Sequence, residues 1–270
     1  MNTPELILVI GDTRGTGLLI ARLLHRQGQR VRVLARDRVR ALALFDPSVQ
    51  VVEGDLTRPK TLRAAIEGVR HIVVTAGCRS GYPVRESQVK VVEYEGMLNT
   101  LAVARQLKFA GRFLYMTSSG LTAASPFATC LNLWKGNTLV WRRRVEAEIR
   151  ASGVNYTIIR TGILLNRPGG KHRILVTQQP LPLAFRYRIA RADVAEVFAT
   201  AIEHPKTLRA TFEVVWGRRG EPQPVGGLLA TLLPDAPTSS CESRAAGYGL
   251  GSPALDQRDE TPPDDERLPE

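Results

Sequence analysis

The sequence predicts an α/β fold in which helices cover both faces of a doubly wound parallel β-sheet. Short runs of apolar and β-branched residues, such as 6–10 and 71–74, recur along the chain. Unbroken apolar runs are typical of strands that are buried on both faces. Stretches of helical length separate these runs, as the crossovers between parallel strands require. A single domain over residues 1–235 is an ordinary size for such a core.

The first predicted strand, 6–10, ends in three glycines within seven residues and passes directly into a helix over 16–26. Gly11 allows a tight turn, Gly15 allows the backbone to approach a pyrophosphate, and Gly17 allows the helix to pack on the sheet. The free N–H groups of the helix then face the anion. In this position the pattern predicts a Rossmann-type dinucleotide site. The other residues of the turn that are predicted to contact the cofactor are Thr13, Arg14 and Thr16.

The second predicted strand, 31–35, is followed by Arg36, which bears on the kind of dinucleotide that is bound. A carboxylate at this place accepts hydrogen bonds from a ribose 2′-hydroxyl, whereas an arginine pairs with a 2′-phosphate. Because Arg36 is the first polar residue after the strand, the sequence favours NADP. Asp37 follows one place later and keeps NAD open as the alternative.

The third and fourth strands are predicted over 49–53 and 71–74, with a helix over 60–67 between them. In a parallel sheet the carboxyl ends of the strands line the ligand crevice. The residues that follow these two strands are therefore predicted to contact the cofactor. They are Asp55 and Leu56 near the adenine, and Thr75, Ala76 and Gly77 near the middle of the cofactor.

The alternation of helices and strands continues through the rest of the domain. Further elements are predicted in this order: a helix over 86–107, a strand over 112–116, a helix over 139–151, a strand over 156–160, a helix over 191–203 and a strand over 211–216 that could extend the sheet. Residues 125–134 are predicted to form a less regular loop. The outer face of the helix 139–151 is predicted to carry residues 142–144 and Glu146. Thr161 and Gly162 follow the sixth strand and are predicted to border the cofactor.

Two segments lie outside this alternation. Residues 164–190 are predicted to form a small cap over the substrate, with a short strand or two. After a last helical turn over 228–233, proline, serine, glycine and acidic residues dominate positions 236–270. This tail has too little apolar surface to offset the entropy of ordering, so we predict that it is disordered.

The charge of the chain is positive but evenly spread. The formal net charge is +11, and because the tail holds eight acids and three arginines, residues 1–235 carry +16. Arginine supplies 31 of the 37 cationic residues, in every segment, which indicates a solvated basic surface that favours an anionic cofactor or partner. No pattern of a helix-turn-helix, a zinc finger or an aromatic RNA-binding platform is present, which argues against nucleic-acid binding.

Cysteine and histidine usage excludes other classes of site. Cys78, Cys130 and Cys241 are far apart, and the four histidines are scattered, so we expect neither a disulfide framework nor a metal site. No apolar run approaches the roughly 20 residues that span a bilayer. Residues 1–5 include no basic region of the kind that begins a secretion signal, so we expect a cytoplasmic protein.

By these residues the chain from Leu6 to about Trp216 resembles the atypical short-chain dehydrogenase/reductases of the NAD(P)H-binding, NmrA-like group. The matching blocks occur in the family's order: G-D-T-R-G-T-G at 11–17, L-A-R at 34–36, G-D-L at 54–56, Y-E-G-M-L-N at 94–99, S-G-V-N-Y-T-I-I-R-T-G at 152–162, R-A-D-V-A at 191–195 and T-F-E-V at 211–214. The resemblance is specific for the fold and much less specific for the chemistry.

The chain departs from the family pattern at two places. Arg14 stands where the family turn usually has its second glycine, where it could bind a cofactor phosphate or point to solvent. Short-chain reductases generally use a tyrosine acid with a lysine four residues later, and here Thr138 and Arg142 occupy those positions. The resemblance makes Arg142 and Ser118 the candidate catalytic residues. Ser118 could equally end its strand by bonding local backbone.

Two other tyrosines do not restore the missing acid. Tyr156 and Tyr187 each precede an arginine by four residues, but Tyr156 lies on a predicted strand, where such residues do not meet. Two function classes therefore remain open. The first is an NADPH-dependent reductase of a small carbonyl, quinone or flavin-like acceptor. The second is an NADP-binding protein without turnover that acts as a redox sensor or assembly partner.

Overall fold

In the computed structural model of the chain, the described residues are 5–11, 13–78, 84–123, 125–217 and 221–236. The strands are β1 (Leu6–Ile10), β2 (Arg30–Ala35), β3 (Gln50–Glu53), β4 (His71–Val74), β5 (Arg112–Ser118), β6 (Asn155–Thr161), β7 (Ile163–Leu165), β8 (Ile174–Thr177), β9 (Arg188–Ala190) and β10 (Ala210–Trp216). The α-helices are α1 (Gly15–Arg26), α2 (Arg38–Leu42), α3 (Pro59–Ile66), α4 (Glu86–Val89), α5 (Gly96–Gln106), α6 (Pro126–Trp134), α7 (Thr138–Ala151), α8 (Arg191–Ala201) and α9 (Val225–Leu229). A π-helical segment, Lys90–Glu95, joins α4 to α5, and a 3-10 turn, Pro205–Thr207, follows α8.

The main sheet has eight strands in the order β3-β2-β1-β4-β5-β6-β10-β8. Its strands pair in parallel, except that β8 runs antiparallel to β10 at the edge. The chain starts at β1, winds outward to β3 and returns to β4 on the other side of β1. This reversal opens a crevice outside the carboxyl ends of β1 and β4. The predicted doubly wound parallel sheet is confirmed.

Helices cover both faces of the sheet, and each face has its own apolar core. On one face, α1 and α8 pack on the strands through residues such as Leu24 and Phe198. On the other face, α3, α5 and α7 do so through residues such as Leu101 and Val145. Successive residues of β1 enter the two cores alternately, which explains why this strand is apolar throughout.

The predicted loop over 125–134 was wrong, because α6 occupies most of it. The side chain of Ser125 accepts a hydrogen bond from the N–H of Ala128 at 3.1 Å, and Pro126 is the first helical residue. Serine before proline is a favourable helix start, since the serine caps an orphan N–H and proline has none to lose.

The structure also differs from the sequence prediction in two helix boundaries and in the face of one helix. The long helix predicted over 86–107 is interrupted by the π-helical segment. The last helical turn lies at Val225–Leu229, before the predicted 228–233. On α7, Arg143 and Arg144 are exposed as expected, but Glu146 is 1% exposed and faces the sheet.

The segment 164–190 does contain short strands, and they divide between two sheets. β8 forms the edge of the main sheet, whereas β9 pairs with β7 in a separate two-stranded parallel sheet. The predicted disordered tail lies almost entirely outside the described residues, which end at 236. Within the described ranges, no helix has the length and apolarity to cross a membrane, and no three His, Cys, Asp or Glu residues cluster as metal ligands would.

Candidate nucleotide and acceptor site

The turn between β1 and α1 depends on its glycines. Gly11 has φ +90° and Gly15 has φ +64°, a region that residues with a Cβ disfavour. A Cβ on Gly11 would lie 2.7 Å from the Cα of Ala76, and one on Gly17 would overlap the Gly11 carbonyl. The Thr75 hydroxyl donates to that same carbonyl at 3.1 Å. The turn therefore packs directly against the end of β4, as a close phosphate turn requires.

The first turn of α1 suits an anion. No side chain caps this turn, and it contains no acidic residue. The Thr16 Oγ1 atom is buried and has no hydrogen-bond partner among the described residues. Just before α1, Thr13 is half-buried and Arg14 is exposed, whereas Asp12 lies outside the described residues. Uncapped helix N–H groups, an unused hydroxyl and an arginine fit the pyrophosphate of a dinucleotide.

A second cation beside this turn was missed by the sequence analysis. Arg191, the first residue of α8, places its Nε 3.7 Å from where a Gly15 Cβ would be. Its guanidinium also donates to the Leu164 carbonyl at 3.1 Å and to the Asn166 side chain at 2.7 Å. Arg191 belongs to the R-A-D-V-A block at 191–195, but it is far from Gly15 along the chain, so the sequence did not predict the contact.

At the end of β2, the two residues that bear on cofactor choice have different surroundings. Arg36 is exposed. The Asp37 carboxylate accepts a hydrogen bond from the N–H of Arg40 at 2.9 Å and so caps α2. The cap gives Asp37 a structural role that does not involve a ribose.

Asp55 and Leu56 lie at the end of β3, and each is engaged locally. One carboxylate oxygen of Asp55 accepts hydrogen bonds from the N–H and the hydroxyl of Thr57, both at 2.9 Å. The Leu56 side chain is 7% exposed and belongs to the apolar core, while its carbonyl accepts from Asn99 at 3.0 Å. Because both side chains are engaged, the contact that we expect from this loop to a ligand is through its backbone, which Asn99 holds in place.

An ion pair between Arg142 on α7 and Glu93 on the π-helical segment lies beside the end of β4. The Arg142 guanidinium donates to both Glu93 carboxylate oxygens, at 2.9 and 3.3 Å. The same carboxylate accepts from the Thr138 hydroxyl at 2.7 Å and from the N–H of Cys78 at 2.9 Å. A Cβ on Gly77 would lie 3.0 Å from the Arg142 Nη2 atom. Arg142 and Gly77, which the sequence assigned to the site separately, are therefore adjacent.

Both members of this pair are charged at neutral pH. Burial acts to raise the pKa of Glu93, but the Arg142 charge and the hydrogen bonds of Arg142, Thr138 and Cys78 outweigh it, and the pKa is lowered. Burial acts to lower the pKa of Arg142, and the Glu93 carboxylate reverses that effect and raises it. Arg142 is therefore a permanent, oriented cation and not an acid.

Sequence reasoning missed Glu93, although a signal was present. Val89, Glu93 and Met97 are four residues apart, so in the predicted helix over 86–107 the Glu93 carboxylate shares a face with two apolar side chains. Glu93 is 5% exposed, and buried carboxylates are normally paired. π-Helical segments such as Lys90–Glu95 occur frequently at functional sites.

A phenol does lie near Arg142, but it belongs to a strand. Tyr115 on β5 is 2% exposed, and burial raises its pKa despite the nearby Arg142 charge. The Tyr156 hydroxyl donates a hydrogen bond to Asp235 at 3.0 Å. Burial, and then the charge of Asp235, raise the pKa of Tyr156. Tyr187 packs its backbone against Gly162. The phenols of Tyr115 and Tyr156 therefore have raised pKa values, which is the opposite of what activates a tyrosine acid.

The two serines after β5 have different partners. The Ser118 hydroxyl donates to the Ser119 carbonyl at 3.1 Å, and the residue is half-buried. Ser119 is fully buried and donates to Glu213, whose pKa is raised by burial. Glu213 lies 3.6 Å from Arg160, which binds Glu146 through two hydrogen bonds. The Ser118 hydroxyl thus bonds local backbone, whereas the Ser119 hydroxyl is engaged by a buried carboxylate.

Thr161 and Gly162, at the end of β6, have packing roles in the structure. The Thr161 hydroxyl is buried and donates to the Thr117 carbonyl at 3.1 Å, which joins β6 to β5. A Cβ on Gly162 would overlap the Tyr187 carbonyl, so glycine allows the cap to pack against the strand end.

An apolar cluster covers this end of the sheet beside Ser118. It is formed by Leu121, Phe127, Ala128, Leu131, Leu139, Ile163 and Leu183. Phe127 and Phe185 meet edge to face, with their ring centroids 5.0 Å apart. Leu139 of this cluster lies one helical turn before Arg142 on α7, so the apolar cluster adjoins the fixed cation.

The parallel sheet, the glycine turn and the uncapped helix define a Rossmann-type nucleotide-binding protein. The model of the NAD(P)H-binding family matches residues 11–205, and the chain belongs to this family. This result confirms the resemblance noted in the sequence.

Three known proteins show the range of its relatives. Sanguinarine reductase of Eschscholzia californica is 26% identical, over 77% of this chain and 88% of that protein. Photosystem II assembly factor Ycf39 of Synechocystis is 24% identical, over 78% of this chain and 63% of that protein. The solved structure of ChuY, an anaerobillin reductase of Escherichia coli O157:H7, aligns with a TM-score of 0.66 at 20% identity, over 80% of this chain and 98% of that one. The chain is thus similar in sequence to one protein named as a reductase and one named as an assembly factor, and in fold to a third protein.

Proposed function

We propose that this protein is an NADPH-dependent oxidoreductase that reduces a small carbonyl, quinone or flavin-like acceptor. The observation that carries the proposal is the Arg142–Glu93 pair, which holds a permanent cation beside Gly77 in the crevice that the glycine turn begins. When bound, the cofactor would supply a hydride from its nicotinamide. The likeness to a protein named as a reductase supports this assignment.

Each side chain has a defined part in this proposal. Arg142 binds the nicotinamide ribose or stabilises the negative charge that develops on the acceptor. Glu93 orients the guanidinium, and Ser118 binds the acceptor oxygen. Because no described group is placed as a strong acid, an acceptor such as a quinone or flavin fits better than a simple carbonyl.

The proposed cofactor is NADP and not NAD. Arg36 and Arg14 are exposed and can pair with a 2′-phosphate, whereas the Asp37 carboxylate is engaged as the cap of α2. The cofactor contacts proposed from the sequence at the glycine turn and at the ends of β2, β3, β4 and β6 remain part of this assignment.

The test is NADPH consumption by the full chain with a panel of quinones, flavins and aldehydes, together with identification of any nucleotide that co-purifies. Replacing Arg142 by Ala should lower the rate by a factor on the order of 10² to 10³, as for loss of one donor that stabilises developing charge. Tyr115→Phe, Tyr156→Phe and Tyr187→Phe should have little effect. A tyrosine variant that binds NADPH but has lost all activity would show that the active site is elsewhere.

The alternative function is that of an NADP-binding redox sensor or assembly partner without turnover. The observation that favours it is Thr138, which takes the tyrosine position and donates its hydroxyl to Glu93. A relative named as an assembly factor is consistent with such a role. Retained NADPH binding with no turnover of any acceptor in the panel would select this alternative.

A further inference from the structure

The lysines and arginines of the cap, residues 164–190, are not accompanied by any acidic residue. The cap contains five lysines and arginines and no aspartate or glutamate, although the whole chain has 26 acidic residues in 270. The five cations are all exposed: Arg167, Lys171, Arg173, Arg186 and Arg188. Within the part of the chain that the structure describes, no carboxylate forms an ion pair with any of them. Among the residues that the structure describes, their charges are thus not compensated by a neighbouring carboxylate.

The second half of the cap lies over the proposed acceptor site. Arg188 is the register partner of Ile163, which follows the end of β6. The Leu181 carbonyl accepts a hydrogen bond from the N–H of Gly120 at 2.9 Å, two residues after Ser118. Arg186 therefore extends from a loop that packs on the end of β5.

The first half of the cap reaches the same edge of the sheet. The carbonyl of Arg173 accepts from the N–H of Gly217, directly after β10, at 2.8 Å. The N–H of Gly170 donates to Asp193 at the start of α8 at 2.7 Å. Both anchors lie at the carboxyl end of β10, so both halves of the cap add positive charge where the crevice opens.

Aromatic surface accompanies these charges. Phe185 is 70% exposed, although its ring packs edge to face on Phe127. Arg186 follows it in sequence and places its guanidinium carbon 4.8 Å from the centroid of the Tyr187 ring. A stacking surface is therefore bordered by an arginine that is partly held in place.

We propose that the acceptor is a planar, anionic molecule, an extended conjugated ring system that bears carboxylate or sulfonate groups. Its rings stack on the Phe127–Phe185 wall, and the cap cations bind its acidic groups. This inference rests on the proposed reductase function and adds the substrate class. The cations at the glycine turn, Arg14 within it and Arg191 beside Gly15, remain with the cofactor, so the two anions have separate binding groups.

The test compares 1,2-naphthoquinone with its 4-sulfonate as acceptors for the full chain with NADPH. The readout is the ratio of kcat/KM for the sulfonate to kcat/KM for the neutral quinone. Arg186→Gln combined with Arg188→Gln should lower this ratio about tenfold, because charge-assisted contacts are lost. Arg105→Gln removes an exposed charge from the end of α5 and should leave the ratio unchanged. Raising the salt from about 0.05 M to about 0.5 M should also lower the wild-type ratio.

Binding separates this inference from the proposed function. Calorimetric titration of each quinone into the complex with NADP⁺ measures the same preference without turnover. If neither quinone is reduced but the wild type binds the sulfonate more tightly than the double variant does, the reductase assignment fails and the anion site stands. If the double variant keeps the wild-type ratio in both turnover and binding, the inference is overturned.

Discussion

At the residue scale, Glu93 and Arg142 contribute to folding as well as to the site. Their side chains are 3% and 22% exposed, so each charge depends on the other for compensation. Removing one partner of a buried pair leaves an uncompensated charge, which is more costly than the pair itself is favourable. The pair should therefore affect the pH dependence of stability in a predictable direction.

Glu93→Gln should lower the free energy of unfolding by about 3 kcal/mol near neutral pH, since Arg142 loses its counter-ion. The folded-state pKa of Glu93 lies below its ordinary value of 4.5, so the contribution is complete above that value and is lost as the pH falls through the lower, folded-state pKa. Urea unfolding between about pH 3 and pH 7 should show the difference between wild type and variant shrinking with acid. A difference that stays constant over this range would contradict the assignment.

A matched control lies on the same segment. Glu95 pairs with Lys90 at 3.4 Å, and both side chains are nearly half exposed. Exposed ion pairs contribute little, so Glu95→Gln should leave the unfolding midpoint close to that of the wild type.

Arg36 should decide the preference for NADP. A charge-assisted contact with the 2′-phosphate contributes roughly 1.5 to 3 kcal/mol, or about tenfold to a hundredfold in affinity. Arg36→Ala should remove most of the difference between NADPH and NADH in a fluorescence titration. Arg30→Ala, at the other end of β2, is the control and should keep the wild-type preference. Equal affinities in the wild type would refute the NADP assignment.

At the element scale, α7 faces the sheet with a polar stripe. Thr138, Arg142, Glu146 and Arg150 are spaced by four residues and so share one face of the helix. Thr138 and Arg142 bind Glu93, whereas Arg150 binds Glu146 at 3.0 Å. Val145 and Ile149 next to the stripe are fully buried. The helix therefore carries the site at its first turns and an ionic anchor further along.

The anchor on α7 can be tested by Glu146→Gln. Arg160 is 8% exposed and binds both Glu146 oxygens, so the variant leaves a buried guanidinium poorly compensated. We expect the free energy of unfolding to fall by about 3 kcal/mol, measured by urea denaturation. Arg143→Gln on the exposed face of the same helix should change it very little. An unchanged midpoint for Glu146→Gln would show that Glu213 suffices as the partner of Arg160.

At the scale of the whole molecule, the charge is divided unequally along the chain. Residues 1–235 carry a formal charge of +16, and the acidic tail from 236 onward carries the opposite sign. A basic body favours the anionic cofactor after which the NAD(P)H-binding family is named, and the segment 164–190 contributes five of the positive charges.

Deleting residues 240–270 should leave the melting temperature and the NADPH affinity nearly unchanged. The segment is polar, acidic and rich in turn-forming residues, so little apolar burial is lost. Thermal unfolding and cofactor titration of the two forms test this expectation. A melting temperature lower by several degrees would show that the tail docks on the basic body.

Much of the fold could be read from local patterns. The apolar run 6–10 and the glycines after it predicted β1, the turn and α1 almost to the residue. Residues 125–134 were predicted as a loop, although serine before proline, as at Ser125–Pro126, is a favourable helix start. The arginine run 142–144 was taken as one exposed face, although residues four apart, and not adjacent ones, share a side of a helix.

The sequence by itself determined the parallel sheet, the position of the nucleotide turn and the absence of a tyrosine at position 138, because these depend on residue types over short spans. Tertiary structure decided which charges meet. Glu93 and Arg142 are 49 residues apart, and Ser119 and Glu213 are 94 residues apart. The physical reason is that burial and pairing set the state of an ionisable group, and both depend on which strands and helices become neighbours.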